Sequence, residues 1–129
     1  MPALRGTCSC GAVSFVTGVP VRDPAACHCG QCRKMSGHFW ASVNVPLDGL
    51  TIEGEVRWYE SSPAAKRGFC PVCGSSLFWK AHAEDEIAVA LGALEAPTGL
   101  RLERHIFVAD KGDYYDITDS LPQEALENG

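Results

Sequence analysis

The sequence predicts a mainly β domain built of several short antiparallel sheets, and three observations carry that expectation. Apolar and polar residues alternate with period two in several short runs. Glycine (13) and proline (8) are dense enough to make much of the chain turns, and helix signals are weak. At 129 residues there is room for one domain, spanning residues 1–129, and hardly for a second. The first expected strand is Ala12-Val13-Ser14-Phe15-Val16-Thr17, rich in β-branched residues and bracketed by Gly11 and Gly18. In Phe39-Trp40-Ala41-Ser42-Val43-Asn44-Val45 the alternation puts Phe39, Ala41, Val43 and Val45 on one face, and Pro46 is expected to stop the strand. Val56, Trp58 and Glu60 oppose Arg57 and Tyr59 in the next run. Ser75 to Lys80 follows, and then Ile87 to Leu91, apolar on both faces and expected to be central in a sheet. A last strand is expected around Arg104 to Val108. One helical turn is expected after Cys32, and Pro122 to Glu127 is read as a short helix or a frayed tail.

Charge and hydropathy exclude several function classes. The formal net charge of −5 argues against a nucleic-acid binder relying on a broad basic surface. An apolar share of 46% is ordinary for a globular domain, and no apolar run is long enough for a membrane span. The start, Met1 to Thr7, lacks the apolar stretch of a secretory signal, so a reducing, cytoplasmic setting is expected.

In that setting seven cysteines stand out, an odd number that cannot pair completely into disulfides. They fall in three tight clusters: Cys8-Ser9-Cys10, then Cys27-His28-Cys29-Gly30-Gln31-Cys32, then Cys70-Pro71-Val72-Cys73. Such spacing suits chelation. Zinc takes four ligands in a closed structural site, and commonly three plus an exchangeable position in a catalytic one. Seven divides as four plus three. In Cys70-Pro71-Val72-Cys73-Gly74 the proline fixes a turn and the glycine can take a positive φ at its end, so both thiolates face one metal. Cys8 and Cys10, on one face of an extended segment, can chelate together. Cys27, Cys29 and Cys32 then form a triplet with a position to spare, open to water or an incoming thiolate. A three-thiolate zinc carries one formal negative charge, which Arg33 and Lys34 would offset, or those residues would attract an anionic thiol.

Spacing alone leaves other partitions open. The triplet can share with Cys8 and Cys10, or one of His28, His38, His82 and His105 can complete a second closed site. His28, between two cysteines, is expected to point away from a metal they share. His38 reads as an exposed or strand-edge histidine with substrate contact as the sharper alternative, His82 as surface, and His105 as a satisfied core histidine. Trp40, Trp58 and Trp79 read as core or strand-edge residues.

The order Cys-x-Cys-Gly (Cys8 to Gly11), Cys-His-Cys-x-x-Cys-Arg-Lys (Cys27 to Lys34) and Phe-Cys-x-x-Cys-Gly (Phe69 to Gly74) resembles the glutathione-dependent formaldehyde-activating enzymes and their relatives, including centromere protein V. His105 to Val108 and Tyr115 to Asp119 are similar to that family's C-terminal signature. One departure is the tyrosines of Lys111-Gly112-Asp113-Tyr114-Tyr115, where the family often has a tryptophan after the lysine. The resemblance implies a compact β-tent with two zincs per chain. It implies a structural zinc on Cys8, Cys10, Cys70 and Cys73, and a catalytic zinc on Cys27, Cys29 and Cys32. It further implies a carbon–sulfur lyase joining glutathione to formaldehyde as S-(hydroxymethyl)glutathione, with the thiolate at the open metal position. Arg33, Lys34 and His38 are the candidate substrate contacts. The rival expectations are a non-catalytic zinc-stabilised binding module with both metals structural, and a thiol redox sensor using Cys70 and Cys73.

Overall fold

The computed structural model describes residues 3–18 and 20–127, leaving the extreme ends of the expected 1–129 domain outside. Ten strands and one helix follow in the order β1 (Leu4–Thr7), β2 (Ser14–Thr17), β3 (Arg22–Cys27), α1 (Gly30–Ser36), β4 (Trp40–Pro46), β5 (Leu50–Glu53), β6 (Arg57–Ser62), β7 (Ala65–Phe69), β8 (Ser76–Ala81), β9 (Glu86–Ala90) and β10 (Arg104–Ile106). The mainly β expectation holds, in two sheets of unequal size. A three-stranded sheet runs β1-β2-β5, and a seven-stranded sheet runs β10-β3-β4-β9-β8-β7-β6. Every pairing is antiparallel except that of β10 with β3, which is parallel.

Period-two alternation decides what each face of the large sheet does. Val43 and Val45 of β4, Ile87 and Val89 of β9 and Phe78 of β8 turn inward, where Leu4 and Phe15 of the smaller sheet, and Val13 just before β2, meet them. Phe15 and Phe78 pack edge to face, 5.3 Å between ring centroids. Gly6 makes room for that pair, since a Cβ there would lie 2.2 Å from the Phe15 ring. Each such fully buried side chain contributes roughly 1.5–3 kcal/mol relative to an exposed one. The opposite face of β4, β9 and β8 carries Trp40, Ser42, Ala88 and Trp79, and no sheet covers it. A sheet face of small residues walled by tryptophans becomes a hollow.

β4 does end at Pro46, which is itself still paired, opposite Glu86. Trp40 is buried, in keeping with its reading as a core or strand-edge residue. Several expectations need correction. The helix begins before Cys32, capped by the Cys29 side chain, and ends at Gly37 with φ of 85°. Cys8 and Cys10 sit in a turn, not an extended segment, with the Gly11 N–H donating to the Cys8 carbonyl at 3.3 Å. The tail forms no helix: the His105 N–H donates to the Pro122 carbonyl (2.9 Å) and the Glu124 N–H to the His105 carbonyl (2.9 Å), so it runs alongside β10. Its amide groups find partners on β10 instead of within a helix.

Candidate metal centres and the cleft beside one of them

The seven cysteines gather into two sets. Cys8, Cys10, Cys70 and Cys73 bring their sulfurs within 4.8 Å of one another, and so do Cys27, Cys29 and Cys32. Either set could hold a metal ion. The first joins the turn after β1 to the turn between β7 and β8. Cys8 and Cys70 are buried and Cys10 and Cys73 exposed. Sulfur separations of 3.7 Å (Cys8 to Cys10) and 3.8 Å (Cys10 to Cys70) match the edge of about 3.8 Å expected for a tetrahedron of sulfurs around one zinc. The Cys70 knuckle forms as its sequence implies. Gly74 takes a φ of 80°, and the backbone N–H groups of Val72 and Cys73 both donate to Cys70 Sγ at 3.4 Å. Ser75, 3.1 Å away, and its backbone hold the Cys73 thiol down to about 5, towards the thiolate a metal needs.

The second set comes from one segment. Cys27 ends β3, paired with Trp40 on one side and Ile106 on the other. Cys29 caps α1, accepting from the Cys32 N–H at 3.3 Å, and Cys32 is buried in the first turn. The three sulfurs divide their protons unevenly. Contacts with Cys27 and Cys32 hold the Cys29 thiol down to about 2, while contacts with Cys29 and Cys32, reinforced by burial, push Cys27 up. Sulfurs crowded this way favour one thiolate beside protonated neighbours, and a divalent cation could take the place of those protons.

Two groups around this triad escaped the sequence reading. The first is Arg67 on β7, only 3% exposed, whose Nη2 lies 3.4 Å from Cys32 Sγ. Its Nε donates to Gln31 Oε1 at 2.9 Å, and Gln31 Nε2 reaches the Ser61 carbonyl at 3.0 Å. Its Nη1 is buried without a hydrogen-bond partner among the described residues. A buried cation touching a cysteine sulfur fits a triad of thiolates around a metal, and fits three neutral thiols poorly. Nothing local distinguishes Arg67 from a surface basic residue beside Lys66.

The second group is a chain running away from the triad. Asp119 accepts from His105 Nε2 at 3.0 Å, which leaves His105 Nδ1 to accept from His28 Nε2 at 2.9 Å. His28 Nδ1 then accepts the Tyr115 hydroxyl at 2.9 Å. The carboxylate at one end thereby fixes both tautomers. Burial, then the neighbouring His105, His38 and Lys111, hold His28 down to about 4, so it stays neutral at pH 7. Its two ring nitrogens meet His105 and Tyr115 and neither meets a cysteine sulfur, and His105 is buried with both nitrogens hydrogen-bonded. His82 is on the surface, 2.7 Å from Glu60.

The hollow beside the triad is a cleft of about 690 Å³. Cys27, Cys29, Cys32 and Arg67 line one part, Trp40 and Trp79 wall it, and alanines such as Ala25 and Ala88 form its floor. Trp58, partly buried, lies away from the cleft and stacks 6.1 Å from Phe78. Arg33, Lys34 and His38 do not line the cleft. Arg33 Nε donates to the Asp110 carbonyl at 2.8 Å, Lys34 is exposed, and His38 Nδ1 meets the Tyr114 hydroxyl at 3.2 Å. The tyrosines that depart from the resembled pattern thus stack on each other and against His38, with Tyr115 extended to His28.

Fold and site together define a mainly β protein with one closed and one open cysteine cluster, the open one at a cleft. Residues 3–110 match the family model of the glutathione-dependent formaldehyde-activating enzyme, and the chain belongs to that family. A relative from Schizosaccharomyces pombe, named an uncharacterized lyase, is 25% identical over 121 residues, covering 92% of this chain and 88% of its own. The crystal structure of a Rhodobacter sphaeroides protein superposes with a TM-score of 0.61 at 27% identity, covering 71% of this chain and 88% of that one.

Proposed function

We propose that this protein is a zinc-dependent carbon–sulfur lyase that joins a thiol, glutathione foremost, to formaldehyde or a related aldehyde. One observation carries the reading: the Cys27, Cys29 and Cys32 sulfurs form a set one ligand short of a tetrahedron, and they line a cleft. The family description supports the choice of thiol and aldehyde, and the lyase name of the Schizosaccharomyces pombe relative supports the reaction class. Zinc bound there supplies Lewis acidity and stabilises a thiolate at neutral pH. A second zinc, on Cys8, Cys10, Cys70 and Cys73, is structural in this reading.

The chain's own residues do the rest. Cys27, Cys29 and Cys32 hold the metal at the cleft, with Cys29 oriented by the Cys32 amide. The Trp40 and Trp79 walls shed water from the thiol's approach, and the alanine floor leaves space for a slim, extended ligand. Arg33, Lys34 and His38 would touch substrate only from outside the cleft lining. The proposal sets the enzyme in the cytoplasm, where seven free cysteines are at home. Among the described residues no helix is long and apolar enough to cross a membrane.

The test is carbon-13 exchange NMR between formaldehyde and its glutathione adduct. The wild-type protein is expected to accelerate the exchange and Cys32→Ser to leave it at the uncatalysed rate. No acceleration by a wild-type protein carrying two tightly held zincs would overturn the enzyme and leave a metal-stabilised binding module.

A further inference from the structure

Arg67 is the one group near the triad whose presence neither the ligands nor the core explains. The guanidinium is 3% exposed and lies over the Trp40 ring, 5.8 Å from its centroid. It has no carboxylate partner among the described residues. Its polar contacts are a neutral amide, Gln31 Oε1 at 2.9 Å, and a cysteine sulfur, Cys32 Sγ at 3.4 Å, with Nη1 left over. Hydrogen bonding therefore does not account for it, because a neutral residue would have left no buried donor unmet. Charge does. A guanidinium taken out of water needs an anion close by, and among the described residues the sulfur cluster is the only candidate it touches.

Three thiolates on a divalent ion carry one net negative charge. Adding a substrate thiolate in a walled cleft doubles that charge, and repulsion would then favour binding of the neutral thiol or none. We propose that Arg67 is the positioning residue that supplies the triad's counter-charge: it strengthens metal binding there and lets the centre accept one further anion, the substrate's thiolate. The thiolate half of this rests on the proposed function; the metal half does not. Gln31 is the brace, holding Nε so that the Nη2 edge faces Cys32. Among the described residues the four-cysteine set has no hydrogen bond from a cationic side chain. Its Cys70 sulfur accepts from the backbone amides of Val72 and Cys73 instead, and two of its cysteines are exposed, as befits a site that takes no further ligand.

The test uses the metal-loaded protein and the variants Arg67→Gln, which removes the charge, and Arg67→Lys, which keeps it. Metal affinity at the triad is read by competition with a chelator, with the four-cysteine site as internal reference. Thiolate binding is read as sulfur-to-cobalt charge-transfer absorption when glutathione is titrated into the cobalt-substituted protein. Arg67→Gln is expected to weaken the triad's metal affinity roughly 10–100-fold and leave the four-cysteine site unchanged. Half-saturation with glutathione should need at least about tenfold more thiol. Arg67→Lys is expected to recover most of both. Wild-type metal and thiol affinities in Arg67→Gln would overturn the proposal. If that variant does not fold, a folded Arg67→Lys with metal affinity down by more than about tenfold would overturn it equally. A wild-type protein that takes no thiol would refute the lyase reading, and a lowered metal affinity in Arg67→Gln would still support the counter-charge.

Discussion

The two cysteine sets use the same chemistry and differ in how the chain delivers it. The four-cysteine set draws one pair from the turn after β1 and another from the turn between β7 and β8, so it ties two distant segments of the fold together. The triad draws all three sulfurs from the single run Cys27 to Cys32 and ties together little. It is backed by β10, α1 and the buried histidine chain, and it faces a cleft with an arginine behind one ligand. A metal that joins distant segments stabilises the fold; a metal held by one loop beside a cavity is free to serve chemistry. Ligand number alone would not separate the two roles so sharply.

The largest effect that would break this comparison is on the closed site. Cys70→Ala removes a fully buried sulfur of the four-cysteine set, and the structural zinc proposed there would be worth roughly 10 kcal/mol of apparent binding energy, comparable to the whole stability of a domain. Circular dichroism is expected to show a largely unfolded chain. Next, Cys32→Ser is expected to abolish turnover while the melting temperature moves by only a few degrees, on the order of 1 kcal/mol. Equal unfolding in both variants would erase the distinction between the sites.

A smaller effect sharpens the picture of what backs the triad. Arg104 on β10 pairs with Asp23 on β3 at 2.8 Å and with Glu124 of the tail at 2.5 Å, all three partly buried. Arg104→Met is expected to cost about 1–2 kcal/mol in urea unfolding at pH 7, between the values for exposed and buried pairs. The Arg104 guanidinium, opposed in part by burial, holds the Asp23 carboxyl below the usual carboxylate range. The unfolded chain therefore binds more protons in acid, so this contribution is complete above about pH 4 and fades as pH falls towards the folded value. The difference between wild type and Arg104→Met should accordingly shrink on going from neutral to strongly acidic pH. Smallest of all, Asp119→Ala removes the acceptor at the end of the histidine chain. The fold should persist, with faster solvent exchange of the His105 Nε2 proton in NMR as the visible change.

Much of this was legible in local sequence, and the remainder was distributed along the chain. The Cys70 to Gly74 knuckle is a local object: proline, glycine and two thiols at fixed offsets specify its turn and its amide–sulfur bonds. Ile87 to Leu91 reads as a central strand because residues on both of its faces are apolar, and β9 does lie between β4 and β8. By contrast, β3 (Arg22 to Cys27) hides behind Pro24 and two alanines, whose small side chains give no β signal, although one of them, Ala25, helps to hollow the cleft face. The histidine chain joins residues 28, 105, 115 and 119, so no window of sequence contains it. Arg67 looks like a solvated base next to Lys66, and only the packing of Trp40 and Gln31 around it turns it into a buried charge.

The contrast between a closed and an open site is tested most directly by counting zinc per chain during stepwise chelation while following the fold by circular dichroism. Two zincs are expected at the start. One should leave first with the spectrum unchanged, and the second should leave only as the fold collapses. A single zinc, or two that depart together with the fold, would contradict the distinction between the two sites.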